Sequence, residues 1–122
     1  MSPRERISSA IRAAAARGEP ALVAYLTAGF PARERFREQL RSLAAVADVI
    51  EVGVPFTDPM ADGVTIQRAS LAALAQGVSL RWILAELATL RGLPTPLLLM
   101  SYLNPLLAFG VRELVEALAG ET

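Results

Sequence analysis

The chain has 122 residues, of which 53% are hydrophobic, and its twelve basic and twelve acidic side chains give a formal net charge of zero. This length suits one domain with a core of its own, and zero net charge gives no electrostatic reason to expect binding to nucleic acid or to an anionic membrane surface. The sequence has no cysteine, no histidine and no lysine, which excludes disulfides, structural zinc, thiol catalysis, a Ser-His-Asp triad and a Schiff-base lysine within it.

The N-terminus and the most apolar region lack the features of an export signal or a membrane span. The first six residues, MSPRER, contain no apolar run of the kind that signal peptides carry. The apolar region 93–111 is interrupted by Pro94, Pro96 and Pro105, which argues against a membrane-spanning helix. We therefore expect a cytoplasmic protein that binds neither a membrane nor nucleic acid.

Helical and strand-like patterns alternate along the chain. Ser2, Pro3 and Glu5 have the spacing of a capping box with proline at the first helical position, and Gly18 suits a helix stop. Ser79 is placed to cap a later helix with a strong leucine-rich stripe. The predicted elements are a helix at 2–18, a strand at 21–26, a helix at 32–46, a strand at 48–52, a helix at 65–75, a helix at 79–92, a strand at 97–102 ending in Leu103-Asn104-Pro105, and a last helical pattern at 114–118.

This order predicts an α/β fold. Strands that alternate with helices form parallel sheets with right-handed crossovers. Three strands are too few to close a barrel, and a (β/α)₈ TIM barrel needs roughly 250 residues. We therefore predict that residues 1–122 are the N-terminal portion of a (β/α)₈ barrel domain, with an N-terminal helix before about three parallel strands, truncated in or after the third βα unit.

The stretch 48–63 carries the strongest sign of chemistry. Glu51 lies in a β-branched run, and the following loop brings Asp58 and Asp62. An acid in an apolar strand is costly to bury unless it is protonated, paired or used in catalysis. The C-terminal ends of parallel strands are where α/β folds place catalytic groups. Two other interpretations of these acids are a structural ion pair of Glu51 and a Mg²⁺ or Ca²⁺ site, although the prolines in the loop disfavour the metal site.

Three sequence runs, each beginning near the C-terminal end of a predicted strand, resemble one family. They are YLTAGFP at 25–31, EVGVPFTDPMADGVTIQ at 51–67 and LMSYLNP at 99–105. In their order and spacing they are similar to the signature segments of the tryptophan synthase α subunit family, a group of (β/α)₈ barrel lyases. The resemblance extends over essentially the whole chain but covers only the first half of the family's fold.

The resemblance implies an activity and a set of site residues. Family members cleave indole-3-glycerol phosphate to indole and glyceraldehyde 3-phosphate by a retro-aldol reaction in tryptophan biosynthesis. The family's two catalytic carboxylates fall on Glu51 and Asp62, and its indole-pocket positions fall on Tyr25, Ile66, Met100 and Tyr102. The segments that meet a partner β subunit in an α2β2 complex include Pro55, Asp58, Pro59, Asn104 and Pro105. No cofactor or metal is implied for this chain, because pyridoxal phosphate belongs to the β subunit.

Strand alternation gives an independent expectation for the same pocket. Side chains two positions apart share a face, so Tyr25, Glu51, Met100 and Tyr102 should point into the barrel mouth. Such a pocket is aromatic and apolar with one acid, as an indole requires. Val23, Val49 and Leu98 should lie deeper on the same faces as barrel-core residues, and Trp82 should be a packing residue.

Two other functions stay open from the sequence. One is a different (β/α)₈ enzyme acting on a phosphorylated sugar, which a test for indole release would separate. The other is an inactive fragment, because in the family the substrate phosphate is held by glycine-rich loops late in the barrel, beyond the part to which this chain corresponds.

Overall fold

A computed structural model describes residues 1–90 and 92–119; residues 120–122, the end of the predicted domain, lie outside the described residues. The chain forms six α-helices, three strands and one 3₁₀ turn within that part. In chain order they are α1 (Pro3–Ala16), β1 (Val23–Thr27), the 3₁₀ turn (Arg33–Arg35), α2 (Phe36–Ala44), β2 (Val49–Gly53), α3 (Val64–Ala75), α4 (Leu80–Thr89), β3 (Leu97–Met100), α5 (Leu103–Phe109) and α6 (Val111–Ala119).

The three strands form one parallel sheet in the order β1-β2-β3, which confirms the predicted topology. Tyr25 lies opposite Glu51 between β1 and β2, and Glu51 lies opposite Leu98 between β2 and β3. With this register, the C-terminal ends of all three strands lie at one edge of the sheet. Residues that follow the strands are therefore gathered there.

The predicted helix starts are present. The Ser2 side chain accepts from the Glu5 N–H at 3.2 Å while the Glu5 carboxylate accepts from the Ser2 N–H at 2.7 Å, which completes a capping box. Ser79 caps α4 by accepting from the Trp82 N–H at 3.1 Å. Gly18 ends the first helix with φ of +76°, a conformation that only glycine adopts without strain.

The core lies between the helices and the outer face of the sheet. Ile50 and Val52 of β2 are fully buried there against Phe36 and Leu40 of α2 and Ile83 of α4. Each such side chain contributes about 1.5–3 kcal/mol through removal of apolar surface from water. The ring of Trp82 packs at 5.4 Å from the ring of Phe36, which confirms its expected packing role.

The inner face of the sheet is largely uncovered by the described residues. Val49 at its base is buried, but Val23 and Met100 are each 43% exposed. The expectation that Val23 is a core residue is therefore wrong for this chain, because none of its described elements covers that end of β1. In a closed barrel this face would be the interior.

Other differences from the predicted elements concern helices. The segment Leu103-Asn104-Pro105 was expected to end a strand, whereas β3 ends at Met100 and that segment starts α5. Pro105 is tolerated because the N–H groups of the first helical turn need no intrahelical partner. In α1 only Ala14 is buried, and the large apolar side chain of Ile11 is 44% exposed.

No single helix among residues 1–90 and 92–119 is long and apolar enough to cross a membrane. Helices α3 and α4 would reach that length and composition only as a pair, and they are bent by 82° at the break between them.

Candidate active site

An open cleft of about 170 Å³ lies at the C-terminal edge of the sheet. Its lining includes Tyr25, Asp62, Met100 and Tyr102, four of the six residues expected to be catalytic or to bind the substrate. They come from β1, the loop after β2, the end of β3 and the N-cap position that precedes α5. Residues far apart in sequence are thus brought to one place by parallel strands that end together.

Tyr25 forms one wall of the cleft. Its hydroxyl is 2.9 Å from the Thr27 Oγ1, and either hydroxyl can be the donor. Its ring lies over Gly53, where any Cβ would collide with the phenol, so glycine at the end of β2 makes room for the tyrosine. Burial raises the pKa of Tyr25 above its ordinary value of 10.0, and the negative charges of Asp62 and Glu51 add to the increase, although the hydrogen bond with Thr27 opposes it. The phenol is therefore neutral at physiological pH.

Glu51 is half-buried in the middle of β2, on the strand face that it shares with Val49 and Gly53. It lies opposite Tyr25 in the sheet, and its charge acts on that phenol, although it is not among the residues that line the cleft. The ion pairs of the described residues do not include Glu51. The alternative in which Glu51 serves as a structural ion pair is therefore not supported.

Asp62 is half-buried and reaches the cleft from the loop between β2 and α3. The turn that carries it is closed by a hydrogen bond from the Asp62 N–H to the Pro59 carbonyl at 3.1 Å. The neighbouring Ala61 N–H donates to the hydroxyl of Tyr102 at 2.9 Å. The loop is thus fastened across the cleft mouth to the residue at the start of α5.

Tyr102 contributes an aromatic surface as well as this contact. It is the N-cap residue of α5, and its ring stacks on that of Phe56 with centroids 5.1 Å apart and planes inclined by 30°. Because its hydroxyl accepts from Ala61, the hydroxyl proton stays available to a second partner. A flat apolar wall with one polar end suits an aromatic heterocycle.

Ile66 is a predicted pocket residue that is not among the residues lining the cleft. It lies in the first turn of α3 and is half-buried. Ser70, one helical turn further on, lines the cleft instead and is 4% exposed. Sequence reasoning missed Ser70 although it shares a helix face with Ile66, and it missed Thr27 although strand alternation places Thr27 beside Tyr25.

The residues expected to meet a partner lie in two segments at the same edge of the sheet. Asp58 and Asn104 are exposed, and Pro59 and Pro105 are half-buried. Pro55 is buried within the chain, because it closely follows β2 and the loop turns outward only after Phe56. A contact of Pro55 with a partner stays a prediction.

The described residues contain no group of three or more acids that could hold a metal ion. The Asp58 carboxylate instead accepts from the hydroxyl of Thr57 at 3.3 Å, on the exposed side of the loop. The alternative of a hard-cation site formed by Glu51, Asp58 and Asp62 therefore has no support in the described part of the chain.

Sequence comparisons point to one family. A family model described as tryptophan synthase alpha chain matches residues 11–121. The tryptophan synthase alpha chain of Nitratidesulfovibrio vulgaris strain Hildenborough is 53% identical over 112 residues, covering 90% of this chain and 44% of its own length. That of Desulfovibrio desulfuricans is 54% identical over 108 residues, covering 87% of this chain and 42% of its own length. The chain thus spans less than half the length of these curated relatives.

Solved structures agree with the fold. A crystal structure of tryptophan synthase from M. tuberculosis in its aminoacrylate-bound form superposes with a TM-score of 0.88 at 35% identity, covering 95% of this chain and 48% of that one. Tryptophan synthase subunit alpha from Legionella pneumophila superposes with a TM-score of 0.80 at 37% identity, covering 92% of this chain and 45% of that one. The three parallel strands and their helices therefore correspond to part of a (β/α)₈ barrel.

Proposed function

The chain belongs to the tryptophan synthase alpha chain family, and from that membership we propose that it supplies both catalytic carboxylates of a lyase that cleaves indole-3-glycerol phosphate to indole and glyceraldehyde 3-phosphate. The observation that carries the proposal is the cleft in which Asp62 lies with Tyr25, Met100 and Tyr102, next to the strand position of Glu51. In this assignment the whole of residues 1–122 is the N-terminal part of one barrel domain.

The proposed reaction needs two proton transfers and one charge-stabilising contact. Carbon 3 of the indole gains a proton, the carbinol hydroxyl next to it loses one, and the electron pair of the breaking C–C bond returns to the ring. The carbinol carbon becomes the aldehyde, so the proton gained balances the proton lost. Carboxylates can perform both transfers without a metal or a cofactor.

The two acids take different parts in this scheme. Glu51, half-buried among apolar strand residues, would donate to the ring carbon and take the hydroxyl proton. Asp62 would accept a hydrogen bond from the indole N–H, so that its negative charge stabilises the positive charge that develops on the ring. The Tyr25 phenol, on which the charges of both acids act, is neutral and adds no third negative charge.

Met100, Tyr102 and Tyr25 would form the apolar walls for the indole, and the half-buried Ile66 of α3 stays a further proposed pocket residue. The exposed Asp58 and Asn104, together with Pro59 and Pro105, would contact a β subunit that carries pyridoxal phosphate in an α2β2 complex. A biosynthetic enzyme of this kind is expected in the cytoplasm and needs no cofactor on the present chain.

The direct test uses a completed protein, defined as this chain joined to the remaining C-terminal segment of the Nitratidesulfovibrio vulgaris relative. We expect the completed protein to release indole from indole-3-glycerol phosphate, and its failure to do so when folded would contradict the proposal. Release of a different product from another phosphorylated sugar would favour the alternative barrel enzyme.

The same experiment addresses the fragment alternative. We expect the 122-residue chain alone to show negligible turnover, because the inner face that holds Val23 and Met100 is open to water and cannot exclude it from the reaction. Substantial indole release by the chain alone, with no C-terminal segment present, would contradict this expectation.

A further inference from the structure

The side chain of Gln67 ties together the loop that carries Asp62. Its Nε2 donates to the Asp62 carbonyl at 2.8 Å and to the Pro59 carbonyl at 3.3 Å. Both partners are carbonyl oxygens, which only accept, so the amide nitrogen and not the amide oxygen must face them. The half-buried Gln67 thus makes two hydrogen bonds to the backbone of one short turn.

Both backbone groups of Asp62, its N–H and its carbonyl, are hydrogen-bonded. Its N–H donates to the Pro59 carbonyl at 3.1 Å, and its carbonyl accepts from Gln67. The Pro59 carbonyl accepts from Asp62 and from Gln67, so three residues form a closed ring of hydrogen bonds. With both neighbouring peptide groups held, the direction of the Asp62 Cα–Cβ bond is restrained as well.

The position of Gln67 on α3 explains why it can reach this turn. Side chains on a helix point back toward its N-terminus, and Gln67 lies in the first turns of a helix that begins at Val64. The N-cap of α3 is Gly63, which has no side chain to bind the loop or the free N–H groups. The side-chain amide of Gln67, and not an N-cap side chain, therefore links α3 to the loop.

We propose that Gln67 is a positioning residue that aims the Asp62 carboxylate into the cleft by holding the Pro59–Asp62 turn against α3. It touches neither substrate nor the reacting atoms in this assignment, and acts only through Asp62. The inference rests on the proposed function, since it assumes that Asp62 takes part in the reaction. A displacement of about 1 Å at a catalytic group can cost on the order of 100-fold in rate.

The test compares variants of the completed protein. Gln67→Met keeps the length and volume of the side chain but removes both donors, and we expect kcat to fall about tenfold to 100-fold with KM changed much less. Gln67→Lys returns a donor to the same place and should recover part of the lost kcat. The control is Arg68→Met, an exposed neighbour on the same helix, which should leave both constants unchanged.

A second readout follows the loop itself. Hydrogen exchange of the Asp62 and Ala61 amides should be faster in Gln67→Met than in the unsubstituted protein, while amides in the β2 strand keep their protection. Equal kcat in Gln67→Met and the unsubstituted protein, or a loss of kcat that Gln67→Lys leaves uncorrected and that accompanies global loss of protection, would overturn the proposal.

The two proposals fail in distinguishable ways. If the unsubstituted completed protein folds and releases no indole, the proposed function is wrong whatever Gln67 does. If it releases indole and Gln67→Met does so at the same rate, the function stands and the positioning role of Gln67 is wrong.

Discussion

The hydroxyl of Tyr102 accepts a hydrogen bond from the backbone N–H of Ala61 at 2.9 Å, although the two residues are 41 positions apart in sequence. This contact joins the loop after β2 to the start of α5, and it spans the mouth of the candidate active site. The residue beside Ala61 is Asp62, so the bond restrains a proposed catalytic carboxylate through the backbone.

Removing this bond should loosen the loop while keeping the aromatic wall. We expect Tyr102→Phe in the completed protein to lose about threefold to tenfold in kcat, since a hydrogen bond contributes about 0.5–1.5 kcal/mol net. The phenyl ring can still stack on Phe56, so KM should change little. Steady-state kinetics of indole release measure both constants, and an unchanged kcat would show that the bond does not position Asp62.

The assignment of the two carboxylates predicts the effect of neutralising each one. Glu51→Gln should lower kcat by about 10²–10⁴-fold, the usual contribution of a proton-transferring side chain. Asp62→Asn should lower kcat by about 10²–10³-fold, as is usual for the loss of a charge-stabilising contact. Substrate binding should be largely kept in both variants. Glu19→Gln is the control, because this exposed acid precedes β1 and lies at the opposite end of the sheet. Turnover at the unsubstituted rate in either active-site variant would remove that residue from the mechanism.

Tyr25 should make stability depend on pH in alkaline solution. Burial raises the pKa of Tyr25 in the folded chain above the ordinary value of 10.0, so the folded state holds the phenolic proton more tightly than the unfolded state. The resulting stabilisation is fully present below pH 10 and is lost as pH rises through the folded pKa.

Urea unfolding at a series of pH values measures this contribution. The free energy of unfolding should fall more steeply above pH 10 in the unsubstituted protein than in Tyr25→Phe, which has no proton to lose at that position. Identical slopes for the two proteins would mean that the phenol is no harder to ionise when folded.

Thr95 provides a test of stability that is separate from the site. Its buried hydroxyl has one proton, which it shares between the carbonyls of Ala44 at 2.9 Å and Ala47 at 3.2 Å, and this joins the end of α2 to the segment before β3. Thr95→Val keeps the shape but leaves these carbonyls without that donor, at an expected cost of about 1–3 kcal/mol. Chemical denaturation of the completed protein measures the loss, and kcat under native conditions should be unchanged.

The proposed contact with a β subunit predicts the effect of truncating two exposed side chains, Asp58 and Asn104. Asp58→Ala and Asn104→Ala in the completed protein should each weaken binding to a β subunit of the family by about fivefold to tenfold, roughly 1 kcal/mol. Titration calorimetry against the isolated β subunit gives the dissociation constant, with Glu19→Ala as the distant control. Equal affinities for all three variants and the unsubstituted protein would place the partner surface elsewhere.

The amino-acid sequence was sufficient to predict the parallel three-stranded sheet and most helix positions. Capping residues such as Ser2 and Ser79 act on backbone groups a few positions away, so their effects are readable locally. Alternation along β1 and β2 likewise predicts that Tyr25 and Glu51 share one face of the sheet, and the register sets them opposite each other. Helix α5 was missed because proline and asparagine after a strand are also typical of a loop.

The sequence by itself thus determined which groups could carry acid–base chemistry, since it contains no histidine, cysteine or lysine and places Glu51 in the second strand with Asp58 and Asp62 in the loop after it. The tertiary structure alone decided how they are held: that Ser70 and not Ile66 lines the cleft, that Pro55 is buried, and that Gln67 and Tyr102 fasten the Asp62 loop from two sides. Local sequence patterns indicate the backbone conformation that a short segment prefers and the face of a helix or strand that is apolar. Contacts between distant segments depend on how far each helix and loop extends after packing, which no local pattern encodes.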